Sequence, residues 1–355
     1  MHGVRAHVRR LAVVGPAVND HRHALRVAVG LAVPGLALVV SGHPDLIIYA
    51  VFGAVTGMYG RAEAHRRRIE HQAQAAAILV AGVATGVALS GVHAGPWVLV
   101  VATVVFATVG SVVTDHLALK PEGPFFGIFA LGAVAAVPAG RVAPWAAVSI
   151  CAATALLCLL ISFAGSYRGR LRDPDAVSPA RAATRPRPSD TLVHAARYAS
   201  AITIAGIGGL FLGIDHANWA MAAAAVPLAA ADPVSRVHRG LHRIVGTFAG
   251  LAVTAVLLLP RPSETLLGIC VMALLFPTEL FMARHYALAL GFFTPLIMVM
   301  TDLAAPGEPW ALLADRGIDT VIGVGAGIAV ALIIRGPGRG QDSDQNIKVA
   351  VYPAA

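Results

Sequence analysis

Long apolar runs divide the chain at regular intervals. Cutting it at charged residues, Pro-Gly pairs and polar clusters leaves twelve segments, most of them near the roughly 17 to 25 residues that a helix needs to cross a bilayer. The segments lie at residues 25–42, 45–60, 73–91, 96–114, 123–139, 143–165, 197–214, 217–231, 243–260, 264–283, 285–301 and 317–334. The runs are rich in Ala, Gly, Val and Leu and lack the alternation of barrel strands, so they predict membrane-spanning α-helices.

The composition supports a chain that is mostly surrounded by lipid. Hydrophobic residues make up 57% of it, charged residues only 13%, and the mean hydropathy is +0.72. Soluble domains carry about 25% charged residues, so most of the surface here must face something other than water. We therefore predict an all-α, polytopic membrane protein with about twelve transmembrane helices, located in the inner membrane.

The distribution of Lys and Arg tests the segment count. With the amino terminus in the cytoplasm, 24 of the 27 Lys and Arg residues fall in the predicted cytoplasmic segments, and only Arg141, Arg261 and Arg316 fall in external loops. This asymmetry follows the positive-inside rule and predicts that both termini are cytoplasmic. It also explains the net charge of +8 by Arg clusters that flank helices, so we expect no nucleic acid as a partner.

A sequence repeat relates the two halves of the chain. A shift of 171 residues aligns His23, Ala24, Arg26, Ala28, Gly35 and Gly42 with His194, Ala195, Arg197, Ala199, Gly206 and Gly213 without a gap. Six helices per repeat give both halves the same orientation, related by an axis along the membrane normal. The predicted organisation is a basic amino-terminal segment (1–24), a first repeat (25–165), a Pro- and Arg-rich linker (166–196), a second repeat (197–334) and a tail (335–355), with both end segments and the linker in the cytoplasm.

Glu279 is the clearest ionisable residue inside a predicted span. It lies about one turn from the cytoplasmic end of the tenth segment, directly after Pro277 and Thr278. A proline frees a backbone carbonyl, and a broken helix beside an acid is a way in which transporters build ion sites. We interpret Glu279 as a proton-coupling candidate and Pro277 as a helix break. The alternative is a carboxylate at the interface that pairs with Arg284 or Arg243.

The turn into the eleventh segment adds further candidates. Arg284 and Tyr286 are candidates for binding an anionic substrate, and His285 is a candidate for proton exchange near neutral pH. Thr294, near the middle of that segment, is a further substrate candidate, and Pro295 a second helix break. For Arg284 the alternative is an ordinary positive-inside anchor.

Two more sets of residues complete the candidates. Arg239 and Arg243 share one helix face after the eighth segment and are interpreted as attracting anions, although a purely topological role also fits. Asp319 begins the predicted twelfth helix on the outside. There, a cap that complements the helix dipole is the favoured interpretation, and proton coupling is the alternative.

Motifs of other chemistries are absent from the sequence. There is no nucleophile elbow, Walker loop, HExxH sequence or paired-carboxylate motif, and the three cysteines lie in apolar runs without metal-ligand spacing. We therefore predict no catalytic residues, no metal, no cofactor and no enzymatic activity. Pairs of small residues four apart, such as Gly82 with Gly86, are expected to pack helices closely and would also allow a dimer.

Three motifs in the second half resemble the fusaric acid resistance family, which includes bacterial aromatic acid exporters. They are RGLHRIVGTFAG at residues 239–250, RHYALALGFFTP at 284–295 and RGIDTVIG at 316–323. The resemblance covers residues 195–334 and implies six-helix repeats, export of organic anions such as aromatic carboxylates, and dependence on a proton gradient.

The expected function is therefore proton-coupled export of small organic anions across the inner membrane. A passive organic-anion channel is the first alternative, because the same residues would attract anions without coupling. A structural or regulatory membrane protein that transports nothing is the second. The expected partners are the lipid bilayer and the anion itself.

Overall fold

The computed structural model describes residues 20–61, 63–172, 188–213, 217–230 and 233–334, and side chains are described outside 166–172 and Pro233. These ranges contain twelve α-helices and no β-strand. The helices are α1 (Asp20–Val40), α2 (Ile47–Ala54), α3 (His65–Gly91), α4 (Pro96–Leu117), α5 (Phe125–Ala135), α6 (Pro144–Arg172), α7 (Pro188–Phe211), α8 (Ala217–Leu228), α9 (Pro233–Leu258), α10 (Glu264–Met282), α11 (Tyr286–Ala304) and α12 (Pro309–Ile333). Short 3-10 turns at Pro44–Leu46 and Val55–Met58 extend α2 at both ends.

Eight of these helices are long and apolar enough to cross a membrane: α1, α3, α4, α6, α9, α10, α11 and α12. Helices α2, α5 and α8 have only 8, 11 and 12 residues, too few for a span of about 30 Å. Each of the twelve predicted segments overlaps one helix, which confirms the all-helical membrane architecture. The number of membrane crossings, the repeats and the sides on which the termini lie stay predictions.

The three short helices and α11 form the centre of the bundle. Every residue of α2 and α8 is buried, as are residues 126–134 of α5 and most of α11. Short helices leave backbone groups unpaired at membrane depth, and this is tolerated only where protein covers them. The outer helices instead expose rows of large apolar side chains, such as Val101, Val105 and Val109 of α4, and these rows are suited to face lipid.

Helix contacts in the first half recur six helices later. Contacts α3–α5 and α2–α6 correspond to α9–α11 and α8–α12. Across the halves, α1 packs on α10 in the same way as α7 packs on α4, and α2 contacts α11 as α8 contacts α5. This pairing supports the two-repeat arrangement predicted from the sequence.

Glycine pairs bring the outer helices against the backbone of the central ones. Modelling a methyl group on Gly82 or Gly86 of α3 places it 2.6 Å from a carbonyl oxygen of α5. On α12, methyl groups at Gly323 and Gly327 would overlap the carbonyl oxygens of Ala220 and Ala224 in α8. A third such pair, Gly246 and Gly250, packs α9 against α11. These predicted small-residue faces therefore pack helices within one chain, and the dimer stays a prediction.

The structure corrects several predicted boundaries. Helix α12 begins at Pro309 rather than at 317, and α6 and α7 extend into the predicted linker, as far as Arg172 and from Pro188. Charged residues ended these segments in the hydropathy pattern, but hydropathy marks only the apolar part of a helix, and the backbone hydrogen bonds of a helix continue through charged residues. The middle of the linker, most of the amino-terminal segment and the tail lie outside the described residues.

The predicted helix breaks at Pro277 and Pro295 are also corrected. Helices α10 and α11 continue through them. Pro277 removes one backbone donor without ending the helix. In the same turn, the Thr278 hydroxyl donates a hydrogen bond to the Leu274 carbonyl at 2.8 Å.

We expect Gly323→Ala to destabilise the bundle, because its new methyl group overlaps a carbonyl oxygen of α8. Overpacking of this kind costs about 1–3 kcal/mol. Gly325→Ala is the matched control on the same helix, since nothing lies within 4 Å of a methyl group at that position. Thermal unfolding in detergent measures both. Equal melting temperatures for the two variants would contradict the proposed contact between α12 and α8.

Candidate functional site

A cavity of about 510 Å³ opens where the central helices meet one end of the bundle. We call this end the basic end, because Arg61, Lys120, Arg239 and Arg243 all lie there. Both halves of the chain contribute to the wall. Its residues are Met58, Gly60, Arg61, Glu63, Lys120, Pro121, Glu122, Gly123, Phe125, Phe126, Val226, Ala229, Ala230, Ser235, His238, Arg239, His242, Arg243, Glu279, Met282, Ala283, Tyr286, Leu290 and Phe293.

Two of the predicted arginines stand over aromatic rings in this wall. The Arg239 guanidinium lies 5.1 Å from the centre of the Tyr286 ring, and that of Arg243 lies 5.3 Å from the centre of the Phe125 ring. Stacking fixes the guanidinium plane and leaves its edge N–H groups available for a carboxylate. Phe126 and Phe293 pack edge to face at 6.1 Å and add an apolar surface. The wall therefore combines cations with aromatic rings.

Arg243 is buried without a hydrogen-bonding partner. Its side chain is 1% exposed, and none of its three guanidinium nitrogens has a partner in the described part of the chain. Burial of a guanidinium group costs free energy unless the group is paired. The N–H groups of Arg243 are therefore available to donate hydrogen bonds to an anion in the cavity. This makes Arg243 the strongest anion-binding candidate in the wall.

Glu279 is held by residues of the first half. One of its carboxylate oxygens lies 2.9 Å from Nε2 of His23 and 3.3 Å from a guanidinium nitrogen of Arg61. The same Arg61 pairs with Asp20 at 2.5 Å, and Arg284 lies 3.9 Å from Asp20. The partners expected from the sequence, Arg284 and Arg243, are therefore replaced by Arg61 and His23. These contacts join α1 to α10 beside the cavity.

A second His-carboxylate pair joins the two halves where α4 contacts α7. We call this contact and the α1–α10 contact the two seams between the halves. His194 of α7 lies 2.7 Å from the carboxylate of Asp115 near the end of α4. The repeat aligns His194 with His23, so both seams carry the same kind of pair: a histidine of the first helix of one half and an acid near the end of the fourth helix of the other. Sequence reasoning missed these pairs although the alignment of the two histidines was visible, because it gave no information on their acidic partners.

Three other predicted residues lie away from the cavity wall. The Arg284 guanidinium lies 5.8 Å from the centre of the Phe281 ring and close to Asp20, which pairs with Arg61. His285 caps α11: its Nδ1 accepts the Leu288 N–H at 3.0 Å, and its ring stacks on His242 at 5.3 Å. Thr294 is buried against Gly250, and its hydroxyl has no partner in the described residues.

Arg316 and Asp319 occupy the interior, which corrects two predictions. Arg316 is not in an external loop and Asp319 is not a cap, because α12 begins at Pro309, well before either residue. Both are buried, with exposures of 1% and 0%. Neither carboxylate oxygen of Asp319 has a hydrogen-bonding partner among the described residues. The hydropathy pattern began the predicted span directly after the charged Arg316, whereas the structure buries Arg316 within α12 and places Asp319 in the third turn of that helix.

Comparisons with known proteins agree with this architecture. Residues 202–330 match the family described as fusaric acid resistance protein-like. The chain is 28% identical over 141 residues to the uncharacterized membrane protein YvaC of Bacillus subtilis, which is 38% of this chain and 22% of that protein. It is 29% identical over 177 residues to the p-hydroxybenzoic acid efflux pump subunit AaeB of Enterobacter cloacae subsp. cloacae, 46% of this chain and 27% of that one.

The chain spans about a quarter of the length of these curated relatives. No solved structure matches it. The matched family region runs from within α7 to near the end of α12 and includes Arg239, Arg243, Glu279 and Tyr286 of the cavity wall. The chain is therefore a multi-pass membrane protein, and its residues 202–330 are similar to the fusaric acid resistance protein-like family, as the sequence motifs predicted.

Proposed function

We propose that this protein is an inner-membrane exporter of small organic anions, with aromatic monocarboxylates as the preferred class, and that export is coupled to proton entry. The observation that carries the proposal is the cavity wall in which Arg239 and Arg243 stack on Tyr286 and Phe125. The efflux relative and the family match support the transporter class. The substrate class rests on the chemistry of the wall.

An aromatic monocarboxylate needs one charged contact and an apolar surface. The wall offers both, since the guanidinium edges bind a carboxylate bidentately and the neighbouring rings pack on an aromatic face. A volume of about 510 Å³ lies in the usual range of about 300–1,000 Å³ for small-molecule sites. A single-ring acid therefore fits with room for ring substituents.

The position of the cavity supports alternating access. The wall contains Arg61 and Phe125 from the first repeat and Arg239, Glu279 and Tyr286 from the second. A site shared by two repeats changes its opening when one repeat rocks against the other. The positive-inside rule places the basic end in the cytoplasm, so substrate enters there and leaves at the opposite end.

Glu279 is the proposed coupling acid because its charge controls contacts between the two halves beside the cavity. As a carboxylate it pairs with His23 and with Arg61, which also faces the cavity. After substrate has left to the outside, protonation removes the negative charge of Glu279 and weakens both bonds, so that the halves return without substrate and release the proton to the cytoplasm, as exchange of an anion for a proton requires. His285 and Asp319 remain further coupling candidates, and Arg284 and Thr294 further substrate candidates. Protonation of His285 would have to break its cap on α11.

Accumulation against a gradient distinguishes the exporter from a channel and from a protein that transports nothing. Inside-out vesicles expose the cytoplasmic face, and an acidic lumen supplies protons for exchange. A weak acid that diffuses in its neutral form collects on the alkaline side, so diffusion alone empties the lumen. We therefore expect labelled p-hydroxybenzoate to accumulate in the lumen only when the protein and the pH gradient are both present.

Glu279→Gln should abolish gradient-driven accumulation while leaving exchange of labelled for unlabelled substrate in place. The amide cannot carry a proton, but the cavity keeps its cations and rings. Glu70→Gln is the control, since Glu70 is half-exposed and pairs with Arg66 on the surface of α3. Accumulation that survives in the Glu279 variant would rule out this residue as the coupling acid.

Arg243→Gln should weaken substrate binding. Loss of a buried, charged partner costs about 2–5 kcal/mol, which is at least roughly a 30-fold rise in the half-saturating concentration for exchange. Arg243→Lys keeps the charge but loses the fork and the ring contact, and we expect an intermediate value. Arg66→Gln, at a side chain that is 89% exposed, should leave the concentration unchanged. An unchanged value for Arg243→Gln would contradict its role in binding.

A further inference from the structure

A second buried arginine lies beyond the cavity. Arg316 of α12 is 1% exposed, and its guanidinium stands over two rings of the central helices, 5.1 Å from the centre of the Trp219 ring and 5.7 Å from that of Phe129. Its Nε and one terminal nitrogen have no hydrogen-bonding partner among the described residues. Like Arg243, it therefore combines ring contacts with unused donors.

Arg243 and Arg316 are linked by one face of α5. Phe125 and Phe129 are one helical turn apart, and their rings are nearly parallel with centres 6.1 Å apart. Arg243 stands over the first ring and Arg316 over the second. The guanidinium groups are also close enough to repel each other electrostatically. Together they form a path of alternating cations and rings from the cavity wall into the protein interior.

The charges along this path do not balance. Arg243 and Arg316 bring two guanidinium groups to this path, and Asp319, also buried, supplies at most one negative charge nearby. In contrast, Asp20 and Glu279 at the α1–α10 seam balance Arg61 and Arg284. A buried, uncompensated cation is costly at membrane depth and marks a route for ions or substrate. An anion between Arg243 and Arg316 would supply the missing charge.

We propose that Arg316 is a second anion-binding residue, which receives the carboxylate of an aromatic monocarboxylate from Arg243 while Phe129 and Trp219 pack on the rest of the molecule. The inference rests on the proposed function, because it describes the next position of the same substrate. A purely structural pair of Arg316 with Asp319 is the alternative. Such a pair would have joined the two side chains by hydrogen bonds, and both oxygens of Asp319 are without one.

Trp219 provides a direct measurement of this site. It is 1% exposed, whereas Trp97, Trp145 and Trp310, the other three tryptophans, are 55%, 74% and 67% exposed. Replacing these three by Phe leaves Trp219 as the only fluorescent tryptophan next to Arg316. Benzoate is titrated into this purified protein in detergent, with cyclohexanecarboxylate as a probe of equal charge that lacks the aromatic ring. We expect a saturable change of Trp219 fluorescence with benzoate and a weaker response to cyclohexanecarboxylate.

Two substitutions in opposite directions test the charge argument. Arg316→Gln should lower the benzoate affinity at least about tenfold, whereas Asp319→Asn should raise it, because it removes the negative charge that competes with the ligand. A structural pair predicts no such rise. Arg261→Gln is the control, since Arg261 pairs with Glu308 on the surface, where both side chains are more than 70% exposed. If Arg316→Gln does not fold, Arg316→Lys and Asp319→Asn together still test the sign of the effect.

Each result decides for or against the site. Saturable binding that Arg316→Gln weakens and Asp319→Asn strengthens supports it. Binding that depends on Arg243 but not on Arg316 confines the anion to the cavity and overturns the inference, as does a Trp219 signal that benzoate leaves unchanged. Because no gradient or vesicle is involved, binding can succeed where accumulation fails. The failure of proton-coupled export is therefore distinguishable from the failure of the second site.

Discussion

The need to cover polar groups away from water governs this structure. Three central helices are too short to cross a bilayer, and their unpaired ends are tolerated only because the outer helices enclose them. Enclosure depends on close backbone contact, which the glycine pairs of α3, α9 and α12 permit. The short helices in turn leave space at the basic end, where their ends and the neighbouring loops form the cavity. The cavity is thus a consequence of how the centre is packed.

Two groups of charges inside the bundle have different properties. At the α1–α10 seam, Asp20 and Glu279 are held by Arg61 and His23, so removal of any partner leaves a buried charge behind. Along α5, the guanidinium groups of Arg243 and Arg316 contact the rings of Phe125 and Phe129, and several of their N–H donors have no hydrogen-bonding partner among the described residues. A balanced cluster stabilises one arrangement of the helices, whereas an unbalanced one favours an additional anion. This contrast gives the two groups their proposed roles in coupling and in binding.

The two seams between the halves suggest how coupling and movement are connected. His23 with Glu279 and His194 with Asp115 each join the first helix of one half to the fourth helix of the other. The cavity lies between these contacts. Of the two acids, Glu279 lines the cavity and contacts Arg61, whereas Asp115 does not line it. The two pairs therefore differ in the Glu279–Arg61 contact, which links the proposed proton site to the proposed substrate site.

The sequence by itself determined the helical membrane architecture, because runs of apolar residues have no other stable arrangement in a bilayer. It also indicated Arg239, Arg243, Glu279 and Tyr286, since charged and aromatic residues at helix ends stand out against an apolar background. It misplaced Arg316 and Asp319, because hydropathy treats a charge as the end of a span, although protein can cover it. Which charges meet across the halves, and which arginine has no hydrogen-bonding partner among the described residues, depends on contacts between residues far apart in the sequence, such as Arg61 with Glu279, 218 positions away. Local patterns carry no record of these contacts, so only the tertiary structure decided them.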